Sequence, residues 1–347
     1  MKGEIEFRAK LARQHTTGEV VLPDYYDKEE HDRILLERVN ATSETMTELA
    51  RLGVQFSPFL ELGAERGQRS LVVANDCAAT GVAADISFAQ LRTMDHFSQL
   101  FSREKLPLRV CCDANHLPFR DNAFAFIFCY AFLHHFPSLE PAMREIHRVL
   151  GDGHFYFDEE PFKRVLKVRL YRQKHTIYSR TTLRKSRYRR LAESFISEPS
   201  SDEVEHGIIE NEDISLGERA RALAVFDERE VRLVSIANAT SKLGDRLRLE
   251  NLANLLLGGT ISGVCRKRTA VERPPQSELS DLLACPDCIS RGRPEGCDGP
   301  ALVRQDGGLR CAQCGSTYPQ RDGVIFLLPS AELEELYPDV STSGDRA

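Results

Sequence analysis

Short apolar runs alternate with amphipathic stretches over the middle of the chain. From Pro58 onward the apolar runs read PFLELG, GVAADIS, LRVCCD, AFAFIFCYA and HFYFDEE, with helical stretches such as SFAQLRTMDHFSQLF and LEPAMREIHRVL between them. Strands that alternate with helices predict βαβ units and a mainly parallel sheet. Right-handed crossovers then place ligand-binding residues at the carboxyl ends of the strands. We therefore expect a doubly wound α/β fold.

Segments on both sides of this pattern complete the predicted organisation. Apolar side chains between residues 28 and 54 approximate one helical face, which predicts a packing helix or a helix that also covers a substrate pocket. The later runs EVRLVSIAN and TISGVCRKR are typical of closing strands. The predicted units are a helical cap at 1–56, a main α/β domain at 57–270 with an insertion at about 161–218, a Pro-rich linker at 271–280, a small β-rich cysteine-bearing unit at 281–330 and a flexible tail at 331–347.

Composition limits the classes of protein that fit this pattern. The 347 residues are enough for two domains, and the net charge of −6 argues against broad, unspecific nucleic-acid binding. No apolar run reaches the ~18 residues of a transmembrane helix, and MKGEIEFRAKLARQH lacks an apolar signal core. We therefore expect a cytoplasmic protein, in which ten cysteines are thiols or metal ligands rather than disulfides.

A strongly basic segment lies inside the predicted insertion. Residues 161–192 hold twelve Lys and Arg and no Asp or Glu, whereas residues 193–218 hold nine acidic residues. Clustered cations interleaved with tyrosines can bind phosphate, RNA or an anionic membrane surface. The alternative is a solvated segment that pairs with the acidic run after it.

The segment FLELGAERGQRS is the first motif that points to chemistry. A buried strand ends at Glu61, and Gly63 and Gly67 allow a tight turn that brings backbone close to a ligand before a helix begins. Asp85 ends the next predicted strand, where its carboxylate suits a ribose diol, or it caps the following helix. Asp113 ends the third strand, where it suits an adenine amino group or forms a turn with its own backbone.

Several motifs in the same order resemble class I S-adenosylmethionine (SAM)-dependent methyltransferases, especially type 11 methyltransferase domains with a Rossmann-like fold. The first motif of that family reads acid-x-Gly-x-Gly-x-Gly, and here it is matched by Glu61, Gly63 and Gly67, with Glu65 in place of the middle glycine. The resemblance covers about residues 58–162.

The resemblance also assigns roles to the acidic strand ends. The family's acidic residues after the second and third strands match Asp85 and Asp113, with Ile86 and Ala114 beside them. ANHLPFRDNAFAFIFCYAFLHHF and REIHRVLGDGHFYFDEEP are similar to the family's fourth-strand and fifth-strand regions. The resemblance implies that these residues bind SAM. A nicotinamide dehydrogenase is the main competitor on such a sheet, because one fold hosts many reactions.

Candidate catalytic residues follow the fourth and fifth strands. His134 or His135 could remove a proton from the acceptor, because histidine titrates near neutral pH. The alternative is that the histidines only shape the cofactor pocket. Glu159 or Glu160 faces the acceptor, or the acids after HFYF are simply neutralised by the Lys and Arg that follow.

Two Cys-x-x-Cys knuckles, CPDC and CAQC, are separated by 22 residues. Cys285, Cys288, Cys311 and Cys314 can therefore bind one tetrahedral structural zinc ion. This unit resembles the small zinc-ribbon activator subunit of tRNA and protein methyltransferases. The resemblance implies that the ribbon packs on the methyltransferase domain and covers an apolar edge.

Three functional interpretations follow. The leading one is a methyltransferase for a small or carrier-linked acceptor, including anionic ones, in a biosynthetic pathway. An RNA or protein methyltransferase is the first alternative, although CYAFLHH contains no Asn-Pro-Pro-Tyr-like tetrad at the end of the fourth strand. A SAM-binding protein without catalysis is the second, and only the replacement of glycine by Glu65 suggests it.

Overall fold

The computed structural model describes residues 1–22, 27–162, 170–176, 196–200, 214–235, 240–242, 259–271, 278–291 and 301–341. Most of the basic segment, most of the acidic run and most of the Pro-rich linker lie outside these ranges. Within them, no helix is both long enough and apolar enough to cross a bilayer.

The described strands form one mixed sheet and one separate two-stranded pair. The large sheet has the order β11-β12-β13-β14-β3-β2-β1-β4-β5-β10-β8-β9, and β6 pairs with β7. The strands are β1 (Phe59–Leu62), β2 (Gly81–Asp85), β3 (Leu108–Cys111), β4 (Phe124–Tyr130), β5 (Leu150–Pro161), β6 (Tyr171–Thr176), β7 (Ser197–Ser200), β8 (Glu228–Ser235), β9 (Thr240–Lys242), β10 (Gly259–Lys267), β11 (Leu302–Gln305), β12 (Gly308–Cys311), β13 (Thr317–Arg321) and β14 (Val324–Phe326).

The centre of the large sheet is parallel, as the sequence predicts. Leu62 of β1 lies opposite Ala84 of β2 on one side and Cys129 of β4 on the other. All seven residues of β4 are buried, because helices cover both faces of a parallel sheet. The strand order reverses at β1, and β10 closes the far side antiparallel to β5. The doubly wound α/β fold is confirmed. Its ligand-binding edge lies at the carboxyl ends of β1 and β4, the neighbouring strands between which the strand order reverses.

Helices flank this sheet, and the structure contains more helices than the sequence pattern predicts. The helix predicted over residues 28–54 runs Lys28–Arg51 and begins where Asp27 accepts a hydrogen bond from the Glu30 N–H at 2.9 Å. The helices are α1 (Lys2–Thr17), α2 (Lys28–Arg51), α3 (Gln68–Asp76), α4 (Phe88–Leu91), α5 (Met94–Leu100), α6 (Leu139–Val149), α7 (Leu216–Ala222), α8 (Pro286–Ser290), α9 (Ser330–Leu336) and α10 (Pro338–Ser341), with 3₁₀ helices at Leu133–His135, Leu223–Val225 and Leu279–Leu282.

The C-terminal strands join the same sheet as the α/β core. β14 pairs in parallel with β3, so that Ile325 lies opposite Val110 and Leu327 N–H donates to the Cys111 carbonyl at 2.8 Å. The cysteine-bearing unit therefore extends the edge of the sheet, and pairing removes the exposed backbone groups of β3.

The tail differs from the sequence-based expectation. Its polar composition predicts loose order over 331–347, but the chain forms two short helices, Ser330–Leu336 and Pro338–Ser341; residues 342–347 lie outside the described residues. Leu333 and Val340 are 5% exposed and pack with Phe326 in the same apolar cluster. These two side chains, one from each short helix, fix the tail on the core.

Candidate active site

A cavity of about 500 Å³ opens at the carboxyl ends of the central strands. This is where parallel α/β sheets bind their ligands. Glu61, Gly67 and Glu160 are not among the residues that line it. Nine sequence-predicted residues do line it: Gly63, Glu65, Asp85, Ile86, Asp113, Ala114, His134, His135 and Glu159.

Glu61 lies beneath the glycine loop rather than in the cavity. Its carboxylate accepts hydrogen bonds from the Ser70 N–H at 2.8 Å and from the Ser70 hydroxyl. Burial raises the pKa of Glu61 to about 8, against the opposing effect of these bonds and of Arg69. Glu61 therefore anchors the start of α3 and holds the loop in place.

The loop between β1 and α3 takes three left-handed backbone positions, at Gly63 (φ 66°), Glu65 (φ 48°) and Gly67 (φ 72°). A Cβ on Gly63 would lie 2.5 Å from the ring of Phe132, and one on Gly67 would lie 2.1 Å from Met94 Cε. The Phe132 ring thus requires glycine at Gly63, whereas at Gly67 the contact is with the end of a flexible side chain and it is the left-handed backbone that favours glycine. Glu65 takes the left-handed conformation in spite of its side chain, at a cost of about 1–2 kcal/mol.

Asp85 connects this loop to the next turn. Its two carboxylate oxygens accept the Glu65 N–H at 2.8 Å and the Ser87 N–H at 2.7 Å, and burial raises its pKa to about 6. Ser87, and not Asp85, caps α4. Each oxygen keeps further lone pairs for a ligand hydroxyl.

Asp113 follows β3 at the same edge of the sheet. It makes the turn that the sequence predicts as its alternative role. Its Oδ1 accepts the Asn115 backbone N–H at 2.9 Å and the Asn115 amide at 3.0 Å. Because Asp113 also lines the cavity, the turn and a ligand contact are compatible.

The two histidines sit in the 3₁₀ helix that follows β4, and both line the cavity. Glu160 lies behind them, fully buried, and accepts the backbone N–H groups of Phe132 and Leu133 at 2.7 Å each. His134 Nδ1 lies 3.3 Å from Glu160 Oε2. With Nδ1 protonated, this contact leaves Nε2 of His134 as a proton acceptor.

Glu160 is held in its charged form. Burial alone would raise the pKa of Glu160, but His134, Arg219 and the Leu133 N–H lower it below its ordinary value. Arg219 Nη1 lies 3.6 Å from the carboxylate, and Arg219 also donates to the Pro161 carbonyl at 2.5 Å. Glu160 is therefore placed to orient His134 and the loop around it, not to touch an acceptor.

Glu159 points the opposite way and lines the cavity. Its backbone is left-handed (φ 59°), as is that of Ala131 at the end of β4 (φ 47°). Such conformations in residues other than glycine often occur at functional sites. Glu159 pairs with Arg69 at 2.9 Å, and the Arg69 guanidinium lies 4.0 Å from the ring centroid of Tyr130.

The N-terminal helices supply a part of the cavity that the motifs in the sequence do not indicate. Met1, Glu4, Arg8 and Leu11 line it from α1, and Arg38 lines it from α2. The spacing of the α1 residues places them on one helical face, which is the signal that could have identified them. The role of α2 as a pocket-covering helix, left open by its pattern, agrees with this position.

The four predicted zinc ligands converge. Their sulfur atoms all lie within 4.8 Å of one another, with Cys285 Sγ 3.5 Å from Cys314 Sγ and Cys288 Sγ 3.8 Å from Cys311 Sγ. The backbone N–H groups of Gln313 and Cys314 point at Cys311 Sγ, at 3.4 Å each.

The residue between the two C-terminal helices contacts the turn that follows Asp85. Tyr337, which follows α9, donates its hydroxyl to the Ile86 carbonyl at 2.6 Å and accepts the Phe88 N–H at 3.2 Å. Tyr337 thereby holds the turn directly after Asp85. No sequence pattern predicted this contact.

Comparison with known protein families finds one match within the α/β domain. The sequence model of the family described as "Methyltransferase domain" matches residues 60–157. No curated protein matches the chain.

Solved structures are similar only at low identity. YcgJ from Bacillus subtilis is 15% identical and has a TM-score of 0.38, over 67% of this chain and 100% of its own. A chain from the complex of the Haloferax volcanii Trm112 methyltransferase activator with a methyltransferase is 14% identical (TM-score 0.41; 69% and 95% coverage). PH0226 from Pyrococcus horikoshii is 17% identical (TM-score 0.42; 72% and 97%). Likenesses this weak carry no functional inference. The matched family model spans the glycine loop, both acidic strand ends and the two histidines, and the chain thus contains a SAM-dependent methyltransferase domain over residues 60–157.

Proposed function

We propose that this chain transfers the methyl group of SAM to a small or carrier-linked acceptor bound in the cavity beside the histidines. The supporting observation is that the loop at Gly63, Asp85, Asp113 and His134 all line one cavity of about 500 Å³. Pockets of this size are typical of small-molecule and cofactor sites.

The order of the strands supports one orientation of the cofactor. Asp113 follows β3, Asp85 follows β2, and the glycine loop follows β1. If Asp113 receives the adenine amino group and Asp85 the ribose hydroxyls, the amino-acid end lies over the glycine loop and the methyl group faces the ends of β4 and β5. SAM, when bound, supplies a methyl group that its positive sulfur already activates.

The chain itself then has to orient the acceptor and remove a proton where the acceptor carries one. Orientation can lower the barrier by about 7–11 kcal/mol, and a general base typically adds about 10²- to 10⁴-fold. His134 is our candidate base, because Glu160 can hold its Nδ1 and leave Nε2 toward the cavity. Glu159 and His135 line the acceptor side beside it.

Calorimetric titration with S-adenosylhomocysteine, the spent cofactor, tests the site, and transfer of labelled methyl to candidate metabolites tests the activity. Asp85→Asn should weaken S-adenosylhomocysteine binding by about tenfold or more, because a charged acceptor for the ribose is lost. Asp306→Asn, in an exposed turn of the C-terminal unit, is the matched control. A wild-type protein without affinity for either form of the cofactor would refute the proposal.

We also propose that the four cysteines bind one structural zinc ion. Zinc–sulfur bonds of about 2.3 Å in a tetrahedron place the sulfur atoms about 3.8 Å apart. The separations of 3.5 and 3.8 Å fit that geometry. Four thiolates leave no open position for substrate, and metal binding would stabilise a unit this small.

A further inference from the structure

Two histidines stack against each other where α1 meets α2. His15 lies in the last turn of α1 and His31 in the first turn of α2. Their ring centroids are 3.7 Å apart, and the angle between the ring planes is 12°. Both residues are buried, with exposures of 0% and 1%. These two residues, the histidine pair, take no part in the proposed reaction, so their burial needs another explanation.

Arg66 determines which form of His15 fits this position. The guanidinium of Arg66, itself buried, places Nη2 2.9 Å from Nδ1 of His15. A guanidinium can only donate hydrogen bonds, so Nδ1 has to accept and carries no proton. Glu65 Oε2 lies 3.7 Å from Arg66 Nη1 and balances the charge of Arg66. Protonated His15 would lose its bond with Arg66 and bring a second cation to it, away from water.

The surroundings of His31 also disfavour a proton. Burial lowers the pKa of His31 below its ordinary value of 6.5, and four nearby cationic or titratable groups lower it further: Arg66, His15, Arg38 and Lys28. Asp32 opposes this effect, because its Oδ1 lies 3.1 Å from His31 Nδ1, but its other oxygen pairs with Lys28 at 2.5 Å. From α5, the uncharged ring of Phe97 packs edge-on against His31. The histidine pair therefore fits its site only with both rings neutral.

The apolar contacts of α1 form a small cluster of their own. Phe7 and Leu11 of α1 pack with Leu22, apart from the two larger clusters that make up the core of the described residues. A helix of 16 residues is marginally stable in water without tertiary contacts. Docking of α1 therefore depends strongly on its polar contacts, including the buried bond between Arg66 and His15.

We propose that the histidine pair is a pH-sensitive switch, which docks α1 while both rings are neutral and releases α1 when they are protonated. Release exposes the side of the cavity that α1 covers with Met1, Glu4, Arg8 and Leu11. This inference concerns how α1 is held, and it does not depend on which ligand the cavity binds.

The direction of the pH effect follows from proton linkage. In released α1 a histidine titrates near its ordinary value of about 6.5, whereas in the docked state it stays neutral. Docking is therefore strongest above that pH and weakens as pH falls below it. Each histidine that behaves in this way should weaken docking about tenfold between pH 7.5 and pH 5.5, so the pair should weaken it by up to about 100-fold.

Amide hydrogen exchange of the full chain at pH 7.5 and 5.5 measures this docking, once rates are corrected for the pH dependence of intrinsic exchange. Protection of residues 2–17 should fall about tenfold or more at pH 5.5, because released α1 frays. Protection of α6 should not change. The double variant His15→Gln, His31→Gln keeps an oxygen that can accept from Arg66 but cannot be protonated, so its α1 should lose the pH response. His96→Gln removes an exposed histidine of α5 and should keep that response.

Three results would overturn the switch. They are wild-type protection of α1 that does not change with pH, a fall that α6 shares equally, and a double variant that responds as the wild type does. If the double variant leaves α1 unprotected even at pH 7.5, His31→Gln alone decides, because it keeps the bond from Arg66 to His15. Its pH response should be smaller than that of the wild type, and an equal response would also overturn the switch.

Discussion

Replacing Glu61 with glutamine tests whether the carboxyl group beneath the glycine loop is protonated in the folded protein. Glu61 is 1% exposed and accepts both hydrogen bonds from Ser70 on one oxygen. A glutamine oxygen can accept the same two bonds, and its size is the same. The substitution therefore removes mainly the ability to ionise.

The expected effect depends on pH with a definite sign. Burial raises the pKa of Glu61 from 4.5 to about 8, so the folded chain keeps this proton between those values while the unfolded chain releases it. The free energy of unfolding of the wild type must therefore fall as pH rises through this range. Each pKa unit corresponds to about 1.4 kcal/mol, so ionised Glu61 costs the fold on the order of 5 kcal/mol. The Glu61→Gln variant should not lose this free energy as pH rises, because the glutamine side chain does not ionise.

Chemical unfolding at pH 5, 6.5 and 8 measures this difference. The stability of Glu61→Gln relative to wild type should increase toward pH 8, whatever constant offset the amide introduces. Glu44→Gln, at an exposed position of α2, should show a difference that does not vary with pH. A constant difference for Glu61→Gln over this range would show that the buried carboxyl is already ionised and that our account of the loop is wrong.

Three further experiments test other parts of the structure. Tyr337→Phe keeps the ring but removes the hydroxyl that bridges Ile86 and Phe88. It should lower the free energy of unfolding by about 1–2 kcal/mol and weaken the binding of S-adenosylhomocysteine several-fold. Unchanged values for both would contradict a role for this bridge. Cys288→Ser should reduce zinc content, measured by mass spectrometry, from one ion per chain to near zero and lower the melting temperature, whereas Cys77→Ser, a thiol outside the cluster, should keep both. Glu160→Gln and His134→Asn should each lower kcat with little change in the KM for SAM. The double variant should lose no more activity than the stronger single variant, and additive losses of activity would show that the two residues act independently.

The sequence predicts the central sheet and its ligand edge well, because both depend on local patterns. Alternating strands and helices fix the parallel core, and a strand end fixes where Asp85 and Asp113 emerge. The cysteine spacing likewise predicts convergence of the four thiols. These features need no knowledge of how distant segments pack.

The acids after HFYF show where sequence reasoning fails. Strand alternation cannot decide which of Glu159 and Glu160 faces the cavity, because Glu159 leaves the regular strand conformation at φ 59°. Glu160 turns inward only because the N–H groups of Phe132 and Leu133 and the Arg219 guanidinium, all far along the chain, converge on it. Tertiary packing therefore decides which of the two glutamates faces the cavity, and no local pattern in the sequence indicates that packing.

The same reasoning explains why the matched domain covers less than the site. Residues 60–157 contain the glycine loop and Asp85, but each is held by a segment outside that range. Arg8 reaches the loop from α1, and Tyr337 reaches the turn after Asp85 from the C-terminal helices. Both contacts are made by polar groups, the Arg8 guanidinium within α1 and the Tyr337 hydroxyl between α9 and α10, so they leave almost no trace in hydrophobic periodicity. Because the two flanking segments contact the loop and the turn that form the proposed cofactor site, binding of SAM should stabilise α1 and the C-terminal helices together with the core.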